Sequence, residues 1–243
     1  DVRGKTALVT GAARRVGRSI SLALAVEGAS VALHYNRSRS EALSLAREIE
    51  RRYAVRALVF KADLGRPSEV ESLATRVLRT MGPVRVLVNS ASIYEPSPLG
   101  RTSWKDFDDN IAVNLRAPFF LAQALAPAMR AAGGGSIINI ADWAALRPYA
   151  GYIPYCVSKA GLLCLNTALA KALAPRIRVN ALLPGPVLLP EGFSKARREA
   201  VRKAVPLERL GTPEDAARAV VFLAQSDFIT GAALPVDGGR LIA

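Results

Sequence analysis

The sequence predicts an α/β fold in which a doubly wound parallel sheet of about seven strands carries helices on both faces. Short β-branched runs alternate along the whole chain with longer amphipathic stretches, as repeated βαβ units require. The 243 residues, 51% of them apolar, are enough to bury a large core. No repeat, low-complexity tract or linker interrupts this alternation, so residues 1–243 are expected to form one domain.

The predicted elements follow in a regular order. Strands are expected at residues 6–10, 31–35, 56–60, 84–88, 136–140, 178–181 and 233–236, and helices at 15–27, 40–52, 109–130 and 152–173. Pro67 opens one further helix and Thr212 caps another, because proline suits a first helical turn and threonine a cap. Pro127 is expected to kink or restart the helix that contains it. Residues 188–204, basic and broken by Pro190 and Gly192, are expected to be mobile.

The formal net charge of +13 first suggests a nucleic-acid partner. The basic residues are scattered along the chain, however, and no nucleic-acid-binding motif accompanies them. We therefore expect an arginine-rich surface and no nucleic-acid partner. Cys156 and Cys164 would lie about 12 Å apart on one helix, too far for a disulfide. With His34 as the only histidine, a metal site is not expected.

The N-terminal residues 1–5 are polar and lead straight into the first strand, so no secretory peptide is visible. No apolar run approaches the roughly 20 residues that a membrane-spanning helix needs. A cytoplasmic protein without membrane contact is therefore expected.

A glycine-spaced turn joins the first predicted strand to the first predicted helix. Gly11 allows the tight turn, and Gly17 lets the helix pack closely on the sheet. Arg14, Arg15 and Val16 lie between them, where helix amides and the positive end of the dipole would face a pyrophosphate. The turn therefore predicts a dinucleotide site, although Arg15 is also compatible with an ordinary surface arginine.

The end of the second strand indicates which dinucleotide is bound. Enzymes that use NAD place an acid about 20 residues beyond the glycines, where it holds the ribose 2′-hydroxyl. Here no acid occurs between Glu27 and Glu41. Instead the segment contains the cofactor candidates Tyr35, Asn36, Arg37 and Ser38. A guanidinium pairs well with a 2′-phosphate, so NADPH is the predicted cofactor.

Tyr155 and Lys159 are four residues apart, which places them one turn apart on a helix face. A nearby ammonium favours phenolate and is expected to lower the tyrosine pKa from about 10 toward neutral. That pattern predicts a proton-transfer pair.

Together these motifs resemble the short-chain dehydrogenase/reductase family, which has a Rossmann-like fold, and the resemblance runs from Thr10 to Gly239. Arg15 replaces the middle glycine of the family's T-G-x-x-x-G-x-G turn. The resemblance further assigns Asp63 and Leu64 to a turn that contacts the adenine, and Asn89, Ser90 and Ala91 to a cofactor loop. It assigns Asn114 to a helix-bound catalytic water. Pro184 and Gly185 would form the cover over the nicotinamide. It also implies a homotetramer, with helices 109–130 and 152–173 as candidate interfaces.

A further departure from this family, at Asp142, bears on the substrate. Asp142 lies thirteen residues before Tyr155, where the family normally has a serine that donates to a substrate carbonyl. An ionised carboxylate has no proton to donate and would repel a growing oxyanion. The substrate is therefore expected to present N–H groups or a nitrogen that must be protonated. The alternative role for Asp142 is an N-cap or a salt-bridged carboxylate, with a different substrate-binding group elsewhere.

The substitutions at Arg15 and Asp142 resemble those of pteridine reductases and dihydromonapterin reductases, as do residues 33–38 and 89–94. By that resemblance Tyr94 would stack on the pterin, and Ser92 would bond the cofactor or the pterin edge. The predicted activity is NADPH-dependent reduction of a pterin, dihydropterin or dihydrofolate C=N bond, with the small molecule held by Ser92, Tyr94, Asp142 and Tyr155. The alternatives are a 3-oxoacyl thioester or general carbonyl reductase with a protonated Asp142, and a non-enzymatic NADP(H)-binding redox sensor.

Overall fold

The computed structural model describes residues 1–189 and 192–243, which surround a seven-stranded sheet. Its strands are β1 Thr6–Val9, β2 Ser30–Tyr35, β3 Ala57–Lys61, β4 Val84–Asn89, β5 Gly135–Ile140, β6 Ile177–Pro184 and β7 Ala233–Val236. Each pairs parallel to its neighbours. The predicted doubly wound parallel sheet is confirmed. All seven predicted strands are present, and the largest difference is at β6, which continues to Pro184.

Helices cover both faces of this sheet. They are α1 Arg15–Val26, α2 Arg39–Tyr53, α3 Pro67–Met81, α4 Trp104–Ile111, α5 Ala117–Ala131, α6 Ile153–Leu173, α7 Lys195–Lys203 and α8 Pro213–Gln225. The helix predicted at 109–130 begins earlier, because the Ser103 side chain caps α4 by accepting from the Asp106 amide. A π-helical segment, Ala112–Arg116, joins α4 to α5.

Pro127 does not restart its helix, contrary to prediction. Helix α5 continues through Pro127 to Ala131. Pro127 has no amide hydrogen, so the Gln123 carbonyl lacks its usual helical hydrogen bond. Both residues lie on the exposed side of α5. Water can satisfy that carbonyl, so one missing bond does not end the helix.

Alternate side chains of the central strands enter two separate cores. Val9, Val88 and Ile138 pack with α1, α2 and α8 on one face. Their neighbours Leu8 and Leu87 pack with α3 and α5 on the other. A sheet buried on both faces explains why its strands are apolar throughout rather than alternating with polar residues.

The strand order is β3-β2-β1-β4-β5-β6-β7. The chain therefore moves outward from β1 to β3 and returns to place β4 on the other side of β1. At such a reversal the loops after the two strands diverge and leave a crevice at the carboxyl edge, where doubly wound sheets bind ligands.

The segment predicted to be mobile contains helix α7. The Ser194 hydroxyl caps that helix by accepting from the Arg197 amide at 3.2 Å. Pro190 and Glu191, which belong to the same predicted segment, lie outside the described residues. None of the α7 side chains is buried, which explains why no apolar periodicity marked the helix in the sequence.

Two helical stretches, Trp104–Ala131 and Ile153–Leu173, are long and apolar enough to cross a bilayer by length and composition alone. The expectation that no apolar run is this long was therefore wrong. Leu121 and Leu125 of the first stretch, and Leu169 and Leu173 of the second, pack in the core against the sheet. Packing in the core accounts for their apolar composition.

Candidate active site

The carboxyl edge of the sheet collects the predicted site residues from separate parts of the chain. The turn after β1 supplies residues 11–17, β2 leads to 36–38, β3 to 63–64, β4 to 90–94, β5 to Asp142 and β6 to Gly185. The first turns of α6 bring Tyr155 and Lys159 to the same edge, and the π-helical segment adds Asn114.

Asp142 contacts the predicted catalytic tyrosine directly. Its Oδ2 accepts a 2.6 Å hydrogen bond from the Tyr155 hydroxyl. Its Oδ1 accepts from the Ala144 amide at 2.7 Å and caps a short 3-10 helix, Trp143–Ala145. One oxygen of Asp142 therefore makes the helix cap named as its alternative role, and the other contacts Tyr155.

The acidities in this pair differ from the prediction. Burial raises the pKa of Tyr155 well above 10, and the negative charge of Asp142 raises that pKa further. The predicted lowering of the tyrosine pKa by Lys159 was therefore wrong in this structure. The lysine Nζ lies 5.7 Å from the Tyr155 ring centroid and donates to the Ile140 carbonyl at 2.7 Å. The carboxylate is the nearer charge, so its effect is larger.

Burial also changes the pKa values of Lys159 and Asp142. Desolvation lowers the pKa of Lys159 to about 8, partly offset by the charge of Asp142. It raises the pKa of Asp142, although the hydrogen bonds from Tyr155 and the Ala144 amide act in the opposite direction. The site thus contains an acid and a base whose pKa values are both displaced toward neutrality.

Asn114 anchors the loop that follows β4. Its Oδ1 accepts from the Ile93 amide at 2.8 Å, and its Nδ2 donates to the Ile93 carbonyl at 3.1 Å and to the Ser158 hydroxyl at 3.0 Å. Ser158 in turn donates to the Tyr155 carbonyl at 2.7 Å. The amide therefore connects the Tyr94 loop to the turn that holds Tyr155. Sequence reasoning missed Ser158, because no local pattern marks it.

Tyr94 lies beside Tyr155. Its ring stacks on Tyr152 with centroids 4.4 Å apart and planes 5° apart, and meets Tyr155 edge-on at 4.7 Å. Tyr94 is 39% exposed. Tyr152 was not predicted. Ser92 is exposed on the same loop and donates to the Ile93 carbonyl at 3.3 Å.

The glycine turn packs against the loop after β4. Gly11 has a φ of +63°, and a Cβ there would lie 2.9 Å from the Ala91 Cα. A Cβ at Gly17 would lie 2.2 Å from the Gly11 carbonyl oxygen, so any larger residue would force α1 from the sheet. The Thr10 hydroxyl, for which the sequence predicted no separate role, accepts from the amides of Ser90 and Ala91 at 2.9 and 3.0 Å.

The N-terminus of α1 is open to an anion. Within the described parts of the chain, no side chain caps it and its first turn has no acid, whereas α4 and α8 each have a capping box. The first-turn amides, which include those of Val16 and Gly17, have no intrahelical partner in such a turn. This arrangement fits a pyrophosphate.

The two arginines of this turn point in different directions. Arg15 has a φ of +54°, and its guanidinium donates to the Leu188 carbonyl at 3.2 Å, in the segment after β6. The guanidinium of Arg14 lies 3.9 Å from the carboxylate of Glu41. Both side chains are exposed at the crevice.

The residues after β2 fit a phosphorylated ribose. Asn36 and Arg37 are exposed at the strand end, and Ser38 is half-buried at the start of α2. Tyr35, in contrast, is buried against Ala13 and Ala42, so only its backbone faces this region. A cationic side chain is therefore available where a 2′-phosphate would lie.

Several predicted cofactor residues turn their side chains away from the crevice. Leu64 and Pro184 are buried, and Asn89 donates to Asn139 at 2.8 Å inside the sheet. Asp63 accepts from the Gly65 amide at 3.0 Å and shapes its own turn. Gly185 is required by packing, because a Cβ there would lie 2.5 Å from the Asp237 Cα.

The remaining special residues lie outside this network. Cys164 is an exposed free thiol on α6, and Cys156 is a buried one. Among residues 1–189 and 192–243, no group of three potential metal ligands comes together.

Known proteins resemble this chain over nearly its whole length. A family model described as enoyl-(acyl carrier protein) reductase matches residues 11–240. The 3-oxoacyl-(acyl-carrier-protein) reductase FabG of Staphylococcus epidermidis is 35% identical, covering 97% of this chain and 98% of that protein. A short-chain type dehydrogenase/reductase of Picea abies is 35% identical, covering 98% and 93%. The crystal structure of FolM alternative dihydrofolate reductase 1 from Brucella canis, complexed with NADP, has a TM-score of 0.93 at 35% identity, covering 100% of this chain and 96% of that one.

Proposed function

The chain belongs to the short-chain dehydrogenase/reductase family of oxidoreductases, and we propose that it uses NADPH to reduce a C=N bond of a pterin, dihydropterin or dihydrofolate. The observation that carries this proposal is the 2.6 Å hydrogen bond between Tyr155 and Asp142. It places a carboxyl group beside the catalytic tyrosine, where the family normally has a serine.

The acid changes which substrates the site can favour. A serine hydroxyl donates to a carbonyl oxygen, but an ionised carboxylate only accepts. Asp142 would therefore accept from the amino and ring N–H groups of a pterin, and its acid form would still do so through the oxygen that carries no proton. The likeness to the Brucella canis FolM structure supports this substrate class.

The described residues fit NADPH. The first-turn amides of α1 would receive the pyrophosphate, with the Arg14 and Arg15 guanidinium groups nearby. Arg37 would pair with the 2′-phosphate, assisted by Asn36 and Ser38. The Brucella canis FolM structure, which is complexed with NADP, supports this assignment. Bound NADPH supplies the hydride.

Asp142 and Tyr155 would manage the proton. Reduction of a C=N bond adds hydride to the carbon and leaves the nitrogen to take one proton. Because the two groups share a short hydrogen bond, they titrate as a coupled pair and would deliver that proton together. The raised pKa of Asp142 helps, since it increases the fraction of the pair that carries an additional proton. Lys159, fixed to the Ile140 carbonyl, retains donors for the nicotinamide ribose hydroxyls.

Tyr94 would orient the heterocycle. Its ring stacks on Tyr152 and is still 39% exposed, so part of the ring is available to a ligand. A flat pterin would pack against this aromatic wall with its reducible bond toward the nicotinamide cover at Gly185. Because Asn114 anchors the loop, the wall is held in a fixed position relative to Tyr155.

A carbonyl reductase acting on 3-oxoacyl thioesters is the second candidate. Two observations favour it: the 35% identity to FabG, and the raised pKa of Asp142, which would let a protonated acid donate to a carbonyl oxygen as serine does. An Asp142→Ser variant would retain such activity, because a serine hydroxyl can also donate to the carbonyl oxygen.

Steady-state NADPH oxidation separates these functions. Dihydrobiopterin, dihydromonapterin and dihydrofolate are assayed beside an acetoacetyl thioester. Turnover of at least one pterin with higher kcat/KM than the thioester is expected. No oxidation with any pterin would exclude the pterin function, and thioester turnover would then establish the carbonyl reductase. NADPH binding without turnover of either class would favour the sensor.

The assembly proposed for this enzyme is a cytoplasmic homotetramer that contacts neither nucleic acid nor membrane. Helices α4, α5 and α6 expose large apolar side chains suited to a subunit interface, namely Trp104, Phe107, Phe120 and Val157. Light scattering after size-exclusion chromatography would measure the assembly, for which a mass four times that of the 25.9 kDa chain is expected.

A further inference from the structure

We propose that His34 is a positioning residue for the dinucleotide, because its ring nitrogen Nδ1 accepts a hydrogen bond from the glycine turn after β1 and holds that turn in place. The inference rests on the NADPH part of the proposed function. It assigns a role to a buried side chain that touches neither the substrate nor the proposed phosphate sites.

The end of β2 places His34 beside the glycine turn. Strand β1 ends at Val9, which pairs with Leu33, so His34 is the first residue of β2 that extends past β1. The backbone carbonyl of His34 accepts from the Ala12 amide at 2.9 Å. Its ring Nδ1 accepts from the Gly11 amide at 3.0 Å. One residue therefore holds two consecutive amides of the turn.

The other ring nitrogen reaches the neighbouring turn. Nε2 of His34 lies 3.0 Å from the Ala62 carbonyl, immediately before the proposed adenine turn at Asp63 and Leu64. Because the Gly11 amide can only donate and the Ala62 carbonyl can only accept, the ring must be neutral with its proton on Nε2. Burial keeps it so by lowering the histidine pKa to about 4.

This arrangement determines which amides a phosphate can meet. The Gly11 amide is occupied by the ring, so a pyrophosphate must bind the amides at the start of α1. Gly11 also packs on Ala91 at a positive φ, which leaves the turn little freedom to reorient. The imidazole thereby fixes the glycine turn beside the proposed pyrophosphate position. Such preorganisation lowers the cost of ordering the turn when the cofactor binds.

Two substitutions separate this role from simple core packing. Asn in place of His34 keeps an acceptor near the position of Nδ1, and Gln instead keeps a donor near the position of Nε2. Both remove the ring and leave a comparable space, so both are expected to lower the melting temperature. Only His34→Gln loses the acceptor for the Gly11 amide.

The test measures NADPH binding by fluorescence titration without substrate, together with thermal unfolding. Loss of one hydrogen bond to the turn is expected to weaken NADPH binding about tenfold in His34→Gln, against about threefold or less in His34→Asn. In steady state the KM for NADPH rises in His34→Gln while kcat at saturating NADPH stays near that of the wild type.

Equal affinities in the two variants, or losses that simply follow the melting temperatures, would overturn the positioning role while leaving the proposed function intact. A wild-type chain that does not bind NADPH would overturn both. The two failures are therefore distinguishable.

Discussion

Oδ2 of Asp142 lies 2.6 Å from the Tyr155 hydroxyl, while Oδ1 of the same carboxyl group is held 2.7 Å from the Ala144 amide. The carboxyl group cannot rotate away from Tyr155 without breaking its backbone cap. A local capping interaction therefore fixes the orientation of the group that we place in the chemistry. Changes at Asp142 consequently affect both acidity and orientation, and a variant that preserves the cap is the informative one.

Asp142→Asn preserves the cap, because the amide oxygen can accept from Ala144, but it removes the ionisable group. We expect dihydropterin reduction to fall about 100-fold or more, the range typical for loss of a positioned acid, while NADPH binding changes little. Single-turnover rates with dihydrobiopterin measure the effect. Retention of most of the activity would remove Asp142 from the proton transfer.

The pH dependence of kcat reports on the same group. Because burial raises the pKa of Asp142, its acid form persists to higher pH than an ordinary carboxyl group, and kcat is expected to decline as pH rises through that raised pKa. The Tyr155 hydroxyl stabilises the carboxylate, so Tyr155→Phe should reduce kcat and move the declining limb to still higher pH. A limb that stays in place in Tyr155→Phe would contradict the coupling.

Arg37→Ala tests the cofactor preference. Charge-assisted hydrogen bonds contribute about 1.5–3 kcal/mol, so the KM for NADPH should rise about 10- to 100-fold while the KM for NADH changes little. Arg39→Ala is the matched control, since Arg39 is also exposed but begins α2 two residues further on. An equal rise for both coenzymes would show that Arg37 does not contact the 2′-phosphate.

Arg15→Gly tests whether the turn is strained. A left-handed conformation costs a side chain about 1–2 kcal/mol, and Arg15 has a φ of +54°. Glycine should raise the free energy of unfolding by about 1 kcal/mol, since the exposed contact with Leu188 adds little. Ala54→Gly, at the same φ of +54° after α2, should stabilise similarly. Denaturant titration measures both. Destabilisation in Arg15→Gly alone would indicate that the Leu188 contact outweighs the strain.

His34 should make stability fall in acid. Its folded-state pKa of about 4 lies below the ordinary 6.5, so the unfolded chain binds more protons between these values. Stability contributed by the neutral ring is therefore present above pH 6.5 and is lost as pH falls toward 4, by up to about 3 kcal/mol. Denaturant titrations of the wild type and His34→Asn at pH 7 and 4.5 isolate this contribution, because carboxyl titration is common to both. Parallel losses in the two proteins would contradict it.

The strands, the glycine turn and the Tyr155–Lys159 spacing were predictable from the sequence because each depends on residues close together in the chain. Apolar runs mark buried strands. The tight turn needs residues without a side chain at Gly11 and Gly17. A spacing of four residues places Tyr155 and Lys159 one helical turn apart. The absence of an acid near Arg37 was equally local. These features were sufficient to identify the family, which the whole-length relatives independently support.

Only the tertiary structure decided how those residues act on one another. The rise in the Tyr155 pKa depends on burial and on an acid thirteen residues away, the Asn114 anchor joins three separate segments, and the Tyr94–Tyr152 stack brings two loops together. The fold also decided the position of the Asn89 side chain, since its amide donates to Asn139 within the sheet and does not face the crevice. Desolvation and long-range hydrogen bonds depend on which surfaces the complete fold brings into contact. Local sequence patterns do not contain that information.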